Sequence, residues 1–137
     1  MSYLIDTTVL SELRRKQADV RVVTWIQARP RQSLCLSVLS LGEIRKGIEG
    51  VTDAAFRQTL TDWLEVDLPN YFVGRLLGID AQVADRWGQV QARAGRTLPA
   101  IDGLLAATAL QHDLTLVTCN TRDFEGLAVR LINPWEG

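Results

Sequence analysis

The sequence predicts an α/β protein in which helices cover both faces of a five-stranded parallel sheet. Short apolar runs recur along the chain, helical patterns separate them, and the runs are apolar throughout rather than alternating with polar residues. Strands buried on both faces have this continuous pattern, and helices between successive strands are typical of parallel sheets. With 137 residues, 47% hydrophobic and 23% charged, the chain is expected to form a single domain over residues 1–137.

The first half of the chain predicts two strands and four helices. Each helix starts after an Asp or a Ser, whose side-chain oxygen can accept hydrogen bonds from the free amides of the first turn. The strands are predicted at residues 3–5 and 34–36. The helices are predicted to follow Asp6, Asp19, Ser37 and Asp53, and to end near Arg15, before Pro30, near Gly50 and at Pro69.

The second half predicts three further strands and two helices. The strands are expected at residues 75–79, 114–118 and 128–132. Asp80 begins the fifth helix, which ends by Gly95, and Pro99 introduces a sixth helix over residues 100–112. A loop connects the last two strands.

Composition excludes several classes of protein. Fifteen basic residues against sixteen acidic ones leave a net charge of −1, which excludes a polybasic protein that grips nucleic acid with its whole surface. Cys35 and Cys119 are too few for a disulfide framework and lack metal-ligand spacing, which favours free thiols in a cytoplasmic protein. Without a basic leader or an apolar run of ~18 residues, neither a signal peptide nor a membrane span is expected.

Acidic and amide side chains lie near the predicted strand ends, where ligands gather in parallel sheets. Asp6 directly follows strand one, Asn120 and Asp123 follow strand four, and Glu43 lies on the helix after strand two. Each has an ordinary structural alternative: a helix cap for Asp6, turn formation for the pair after strand four, and a solvated helix face for Glu43.

Asp102 is the strongest single signal. It interrupts an almost entirely apolar run between Leu98 and Leu110, near the start of a helix. The helix dipole favours an acid in a first turn, which is the ordinary explanation. However, Pro99 already marks the helix start, and a buried carboxylate requires a cationic partner or a metal ion.

The set of acids points to a bound cation. Carboxylates that converge on one crevice repel one another and raise one another's pKa, and a divalent cation such as Mg²⁺ or Mn²⁺ relieves that repulsion. Other chemistries lack their residues: the sequence has no Gly-rich phosphate loop, no dinucleotide fingerprint and no nucleophile elbow. The single histidine, His112, is expected at a helix end rather than in a catalytic pair.

Five short motifs occur in order along the whole chain. They are Leu4–Thr7, Ser37–Ile44 with Gly47, Ile101–Gly103 with Ala106–Ala109, Leu116–Thr118 with Asn120–Phe124, and Ile132–Trp135. Together they resemble a PIN domain, and more narrowly the VapC-type toxins of prokaryotic toxin–antitoxin pairs, including the FitB-like branch.

The resemblance implies a three-layer α/β/α fold with strand order 3-2-1-4-5. It also implies an endoribonuclease that depends on Mg²⁺ or Mn²⁺ and works in the prokaryotic cytoplasm. A VapB-like antitoxin would inhibit it, and the chain would form a homodimer, becoming a heterotetramer or larger with that antitoxin. DNA would be contacted only through the antitoxin.

On this interpretation Asp6, Glu43 and Asp102 are catalytic acids and metal ligands. The fourth catalytic position departs from the strictest family pattern, because Asn120 stands where some members have Asp. Asp123, three residues further on, is the alternative contributor, acting through water.

A second group of residues is expected to position RNA or the attacking water. Two polar residues are candidates for orienting the water or the phosphate, namely Thr7 and Asn120. Basic residues on the helices that start at the strand ends are candidates for a phosphate track, namely Arg14, Arg15, Lys16, Arg45 and Lys46. A solvated helix face is the alternative for each basic residue taken singly.

Other functions remain as alternatives at this point. A PIN-like regulatory module could form a DNA-binding complex with its antitoxin and have weak or no nuclease activity. A phosphoacceptor receiver domain would need paired acids after strand one and a lysine after the last strand, whereas a dehalogenase-type phosphatase would need Asp-x-Asp. The chain instead has Asp6-Thr7-Thr8, and both of its lysines lie early in the sequence.

Overall fold

The computed structural model describes residues 1–136, and Gly137 lies outside the described residues. Five parallel strands form one sheet in the order β3-β2-β1-β4-β5. Their bounds are β1 Tyr3–Ile5, β2 Leu34–Ser37, β3 Leu76–Leu77, β4 Thr115–Val117 and β5 Leu131–Ile132. This arrangement confirms both the predicted fold class and the predicted strand order.

Seven α-helices connect these strands. They are α1 Thr7–Leu13, α2 Val20–Gln27, α3 Val38–Glu49, α4 Ala54–Asp62, α5 Leu68–Tyr71, α6 Ala81–Arg93 and α7 Ala100–Gln111. The predicted caps are confirmed, because the side chain of each capping residue accepts a hydrogen bond from a first-turn amide: Asp6, Asp19, Ser37, Asp53 and Asp80. Among the described residues, no helix is both long enough and apolar enough to cross a membrane.

Two separate hydrophobic clusters show why the fold has three layers. Successive strand residues point to opposite faces of a sheet, and in the central strand Ile5 joins one cluster while Leu4 joins the other. Both side chains are almost completely buried, at 1% and 0% exposed. Val117 and Leu116 of β4 divide between the two clusters in the same way. The central strands therefore hold both helical layers to one sheet.

The helix that starts after Asp53 is interrupted before Pro69, as predicted: α4 ends at Asp62 and a separate short helix, α5, begins at Leu68. A single π-helical segment, Trp63–Asp67, joins α4 to α5, and Pro69 lies in the first turn of α5. Proline is tolerated there because its missing amide would have no intrahelical partner in a first turn. The predicted interruption at Pro69 is therefore confirmed, and the chain continues past it as one further helical turn.

The outer strands are shorter than predicted. Strand β3 has two residues instead of five, and β5 begins at Leu131 rather than at residue 128. Ala128 has a φ of 63°, a left-handed conformation that a strand cannot contain. Between β4 and β5, part of the predicted loop forms a short 3₁₀ turn, Thr121–Phe124.

The sheet order predicts that the two cysteines stay reduced. Cys35 belongs to β2 and Cys119 follows β4, and these strands lie on opposite sides of β1. Since neighbouring strands are ~4.8 Å apart, the two positions are separated by about 10 Å. A disulfide needs Cα atoms within ~7 Å, and both cysteines are free in the structure. We expect thiol titration of unfolded, unreduced protein to return two thiols per chain, and a lower value would contradict the topology.

Candidate active site

A polar cleft of about 640 Å³ lies at the carboxyl edge of the sheet, beside the start of α1 and α7. Most residues predicted for the site line it together: Asp6, Thr7, Arg15, Glu43, Asp102 and Asn120. These residues come from distant parts of the chain. The parallel strands and the helices that follow them bring these residues to one edge.

Asp6 is the best-anchored acid of the cleft. Its backbone amide donates to Val117 of β4 at 2.9 Å, which extends the β1–β4 pairing by one residue. Its carboxylate accepts from the Thr7 amide at 2.8 Å, from the Thr8 hydroxyl at 3.1 Å and from the Thr118 hydroxyl at 2.7 Å. The side chain of Asp6 caps α1 and lines the cleft at the same time, so its role as a helix cap is compatible with a place in the predicted site.

Glu43 is connected to the first helix through Thr7. The Thr7 hydroxyl donates to Glu43 Oε1 at 2.7 Å and lies 2.9 Å from the hydroxyl of the buried Ser40. Glu43 itself is exposed. Thr7 therefore links two of the predicted acids: its amide donates to Asp6, and its hydroxyl donates to Glu43 of α3.

Asp102 lies in the first turn of α7 and is partly buried. Burial raises the pKa of its carboxyl group, and the negative charges of Asp123, Asp6 and Glu43 raise that pKa further. Within residues 1–136, no hydrogen bond or ion pair involves its carboxylate. The four acids predicted from sequence thus act on one another electrostatically, and Asp102 is the one at which their repulsion converges.

Asp123 and Asn120 occupy different places beside this cluster. Asn120 lines the cleft, and its backbone amide donates to the Thr118 hydroxyl at 3.0 Å. Asp123 lies in the 3₁₀ turn, is exposed, and acts on Asp102 through its charge. Arg96 donates to the backbone carbonyl of Asp123 at 2.9 Å and opposes the rise in the pKa of Asp102.

The basic residues predicted for a phosphate track lie in different surroundings. Arg15 lines the cleft and donates to Glu12 at 3.2 Å. The guanidinium group of Arg14 lies 5.2 Å from the ring centroid of Trp63, in a groove that adjoins the cleft. Arg45 is paired with Glu65 at 2.5 Å and does not line the cleft. Lys16 and Lys46 are exposed and also lie outside its lining.

Sequence analysis missed three residues that shape the site. Thr118 is fully buried and holds Asp6, and Glu12 is a buried acid that accepts from the amide of Asp19 at 2.8 Å. Arg96 is the cation that acts on Asp102. A hydroxyl at the end of an apolar strand was an available signal for Thr118. The contacts of Glu12 and Arg96 depend on loop paths that no local pattern encodes.

The donor set of the cleft suits a hard divalent cation. Its acidic ligands would all be carboxylate oxygens, which Mg²⁺ and Mn²⁺ prefer. The combined negative charge of these carboxylates would attract such an ion, and the ion would relieve their mutual repulsion. Over residues 1–136, no three His, Cys, Asp or Glu side chains converge closely enough to enclose a metal ion. The hydrogen bonds of Asp6 and Glu43 to threonine hydroxyls direct those carboxylates to protein partners instead.

A histidine-based mechanism has no place in this cleft. His112 caps the end of α7 and lines a different pocket, together with Cys35. Burial raises the pKa of the Cys35 thiol, which keeps it in its weakly nucleophilic protonated form. The prediction of His112 as a helix-end residue is confirmed.

The chain is similar to known proteins over nearly its full length. A family model described as PIN domain matches residues 3–129. Toxin FitB of Neisseria gonorrhoeae is 36% identical over 135 residues, covering 96% of this chain and 97% of that protein. VapC ribonuclease Y4jK of Sinorhizobium fredii is 32% identical over 136 residues and covers 97% of both chains.

Solved structures give the same result. A crystal structure of FitAcB from Neisseria gonorrhoeae superposes with a TM-score of 0.93 at 35% identity, covering 98% of this chain and 99% of the other. A structure of FitAB bound to an IR36 DNA fragment has a TM-score of 0.91 at 34% identity, with coverages of 97% and 95%. Fold and sequence thus agree in relating the chain to the same proteins.

The raised pKa of Asp102 predicts a pH-dependent loss of stability. A carboxyl whose pKa is higher in the folded than in the unfolded state binds extra protons when folded, so stability falls as pH rises through the folded pKa. Asp102→Asn removes this penalty. In EDTA, we expect the free energy of unfolding of the variant to rise relative to wild type between pH 4 and pH 7.5, as measured by urea denaturation.

The control is Asp62→Asn, because Asp62 is an exposed acid whose carboxylate accepts from Gln58 on its own helix. This variant should keep the same difference from wild type at both pH values. A difference for Asp102→Asn that is independent of pH would show that the carboxylate cluster does not destabilise the fold.

Proposed function

This chain belongs to the PIN-domain family, and from that premise we propose that it is a Mg²⁺-dependent endoribonuclease acting as the toxin of a VapBC-type toxin–antitoxin pair. Mn²⁺ could replace Mg²⁺, because both are hard cations that take oxygen ligands. The reaction is hydrolysis of an RNA phosphodiester bond by water. The names of two relatives, Toxin FitB and VapC ribonuclease Y4jK, support the toxin and ribonuclease parts of the proposal.

One observation carries the proposal: Asp6, Glu43 and Asp102 line one cleft, where burial and the charges of Asp123, Asp6 and Glu43 raise the pKa of Asp102. Concentrating like charges is unfavourable for folding, and it is typical of sites that bind a cation or perform acid–base chemistry. The cleft that Asp6, Glu43 and Asp102 line has a volume of about 640 Å³.

Asp6, Glu43 and Asp102 are the residues that would hold the cation, with Asp123 contributing through water. When bound, the cation would lower the pKa of a water molecule and neutralise charge on the phosphate. The protein's own contribution is to hold its carboxylates in place. Three donors fix Asp6, and Thr7 fixes Glu43, so neither acid needs to lose much freedom when it binds.

Polar groups around the acids would orient the substrate. Asn120 presents a side-chain amide to the cleft, where it can donate to a phosphate oxygen or hold the attacking water. Arg15 lines the same cleft, and its guanidinium can donate to a phosphate while remaining near Glu12. These roles require only the positions that the two side chains already occupy.

We extend the proposal to the partners of the chain. It would form a homodimer, and a VapB-like antitoxin would bind and inhibit it, giving a heterotetramer or larger complex. Contact with DNA would come only through the antitoxin. The similarity to FitAB bound to a DNA fragment supports this assembly.

Replacing Asp102 tests the reaction. Asp102→Ala removes a proposed metal ligand, so RNA cleavage should fall by more than the ~100-fold that marks the upper range for outer-shell groups. Growth inhibition by the expressed chain should disappear as well. Cleavage of RNA in Mg²⁺, together with the thermal midpoint of each protein, provides the measurement.

Asp62→Ala is the matched control, since Asp62 lies on α4 outside the cleft lining and should retain full activity. Wild-type cleavage by Asp102→Ala would remove this residue from the mechanism. If the wild-type chain itself does not cleave RNA in Mg²⁺ or Mn²⁺, the alternative of a regulatory DNA-binding module is favoured.

The fourth acidic position predicts a milder phenotype. Asp123 is exposed and lies outside the cleft lining, so its loss should cost ~10–100-fold in metal affinity or activity, as is typical of outer-shell groups. Asp123→Asn should therefore be weakened and partly rescued by excess Mg²⁺ or Mn²⁺, whereas Asn120→Asp should bind the metal more tightly.

Cleavage by both variants across a metal titration is the measurement. Complete loss in Asp123→Asn without rescue would make Asp123 a direct ligand. Unchanged activity would instead assign the fourth role to Asn120.

A further inference from the structure

A second polar pocket, of about 260 Å³, lies between α6 and the loop that precedes β5. Arg86 and Arg93 line it from one face of α6, with Gln89 between them. The two arginines are seven positions apart along the helix, which corresponds to a rise of about 10 Å along its axis. Residues 126–128 of the loop and the apolar side chains of Val90 and Leu110 complete its lining.

The arginines of this pocket are not neutralised by protein carboxylates. Within residues 1–136, neither Arg86 nor Arg93 forms an ion pair, and neither does Arg96 just beyond α6. Asp85 is the nearest acid along the helix, and its carboxylate accepts from Gln89 at 2.9 Å. Five other arginines form ion pairs among the described residues, as Arg45 does with Glu65, and five do not. Arg86 and Arg93 are therefore distinguished by the pocket that they line together.

Arg96 connects this pocket to the acidic cleft. It donates to the backbone carbonyls of Asp123 and Glu125 at 2.9 and 3.2 Å, directly before the loop residues that line the pocket. The three arginines therefore follow one loop from the pocket to the acids.

We propose that Arg86, Arg93 and Arg96 form a track that binds the phosphodiester backbone of an RNA strand and leads it into the acidic cleft. This inference rests on the proposed ribonuclease function and names the surface that binds the substrate outside the cleft. A guanidinium group donates two parallel hydrogen bonds to a phosphate, and neither Arg86 nor Arg93 has a carboxylate partner among residues 1–136 that would compete for them. The apolar residues of the pocket lining suit the sugar and base faces between phosphates.

The track would also reduce the electrostatic repulsion between the acidic cleft and an RNA strand. Clustered carboxylates repel an approaching polyanion, so a strand can reach them only if positive charge nearby offsets the repulsion. Arg45 pairs with Glu65 and Arg15 with Glu12, whereas Arg96 donates to the backbone carbonyls of Asp123 and Glu125 and has no carboxylate partner among residues 1–136, so its positive charge can offset the repulsion. Because phosphate contacts carry no sequence information, the track should bind RNA of any sequence.

The test measures RNA binding without cleavage. Fluorescence anisotropy with a labelled 12-nucleotide oligouridylate in EDTA reports binding when no divalent metal is available. Arg86→Gln combined with Arg93→Gln should weaken binding by about 10-fold at low salt. It should also reduce the slope of log affinity against log salt concentration by about 1.4, or ~0.7 for each lost phosphate contact.

Arg21→Gln combined with Arg57→Gln is the matched control. It removes the same charge from two arginines paired with Asp19 and Glu49, and should keep the wild-type salt slope. Arg93→Gln alone changes one exposed side chain and should lower the slope by about 0.7, which keeps the test valid if the double variant folds poorly.

Equal losses in the α6 variant and the control would overturn the track, because only net charge would then matter. Unchanged binding in the α6 variant would overturn it as well. Failure of the track and failure of the proposed function remain distinguishable. Arginine-dependent binding without any cleavage in Mg²⁺ or Mn²⁺ would refute the ribonuclease function alone, whereas cleavage with an unchanged KM in the double variant would refute the track alone.

Discussion

Four acidic side chains from separate segments are held close enough for their charges to interact at one edge of the sheet, and this repulsion constrains the rest of the structure. The carboxylate of Asp6 accepts hydrogen bonds from three donors, and that of Glu43 accepts one, from Thr7. Asp102 has no such donor among the described residues, and burial together with the charges of Asp123, Asp6 and Glu43 raises the pKa of its carboxyl group. Its place in the first turn of α7 provides partial relief, because the positive end of the helix dipole lies there.

The cleft derives its rigidity from the most buried part of the molecule. Asp6 follows the central strand directly, and both its amide and its carboxylate are bonded to the end of β4. Leu4 and Ile5 anchor that strand in the two hydrophobic clusters. Displacing Asp6 would therefore require moving the strand that both hydrophobic clusters hold. This anchoring keeps the carboxylate in place despite the repulsion from its acidic neighbours, although the protein as a whole is only marginally stable.

Charge is segregated on this molecule, although its net value is only −1. The acids gather at the carboxyl edge of the sheet, whereas Arg86, Arg93 and Arg96 remain unpaired among residues 1–136, along α6 and the loop beside it. Composition could exclude a uniformly basic surface. It does not report where acidic and basic residues lie relative to one another, and that arrangement governs how a polyanion would approach. Local charge, rather than the total, is the relevant quantity for such a protein.

The sequence by itself determined the parallel α/β architecture, the helix starts and the identity of the acids near the strand ends, because those features follow from local periodicity, capping chemistry and isolated charges in apolar runs. Only the tertiary structure decided that Thr118 holds Asp6, that Arg14 lies over Trp63 in the adjoining groove, that Arg45 pairs with Glu65, and that the charge of Arg96 acts on Asp102. It also decided that Pro69 is accommodated by a π-helical segment and that Ala128 delays β5. These outcomes depend on contacts between residues far apart in sequence and on the path of the loops, and neither leaves a periodic signal in the chain.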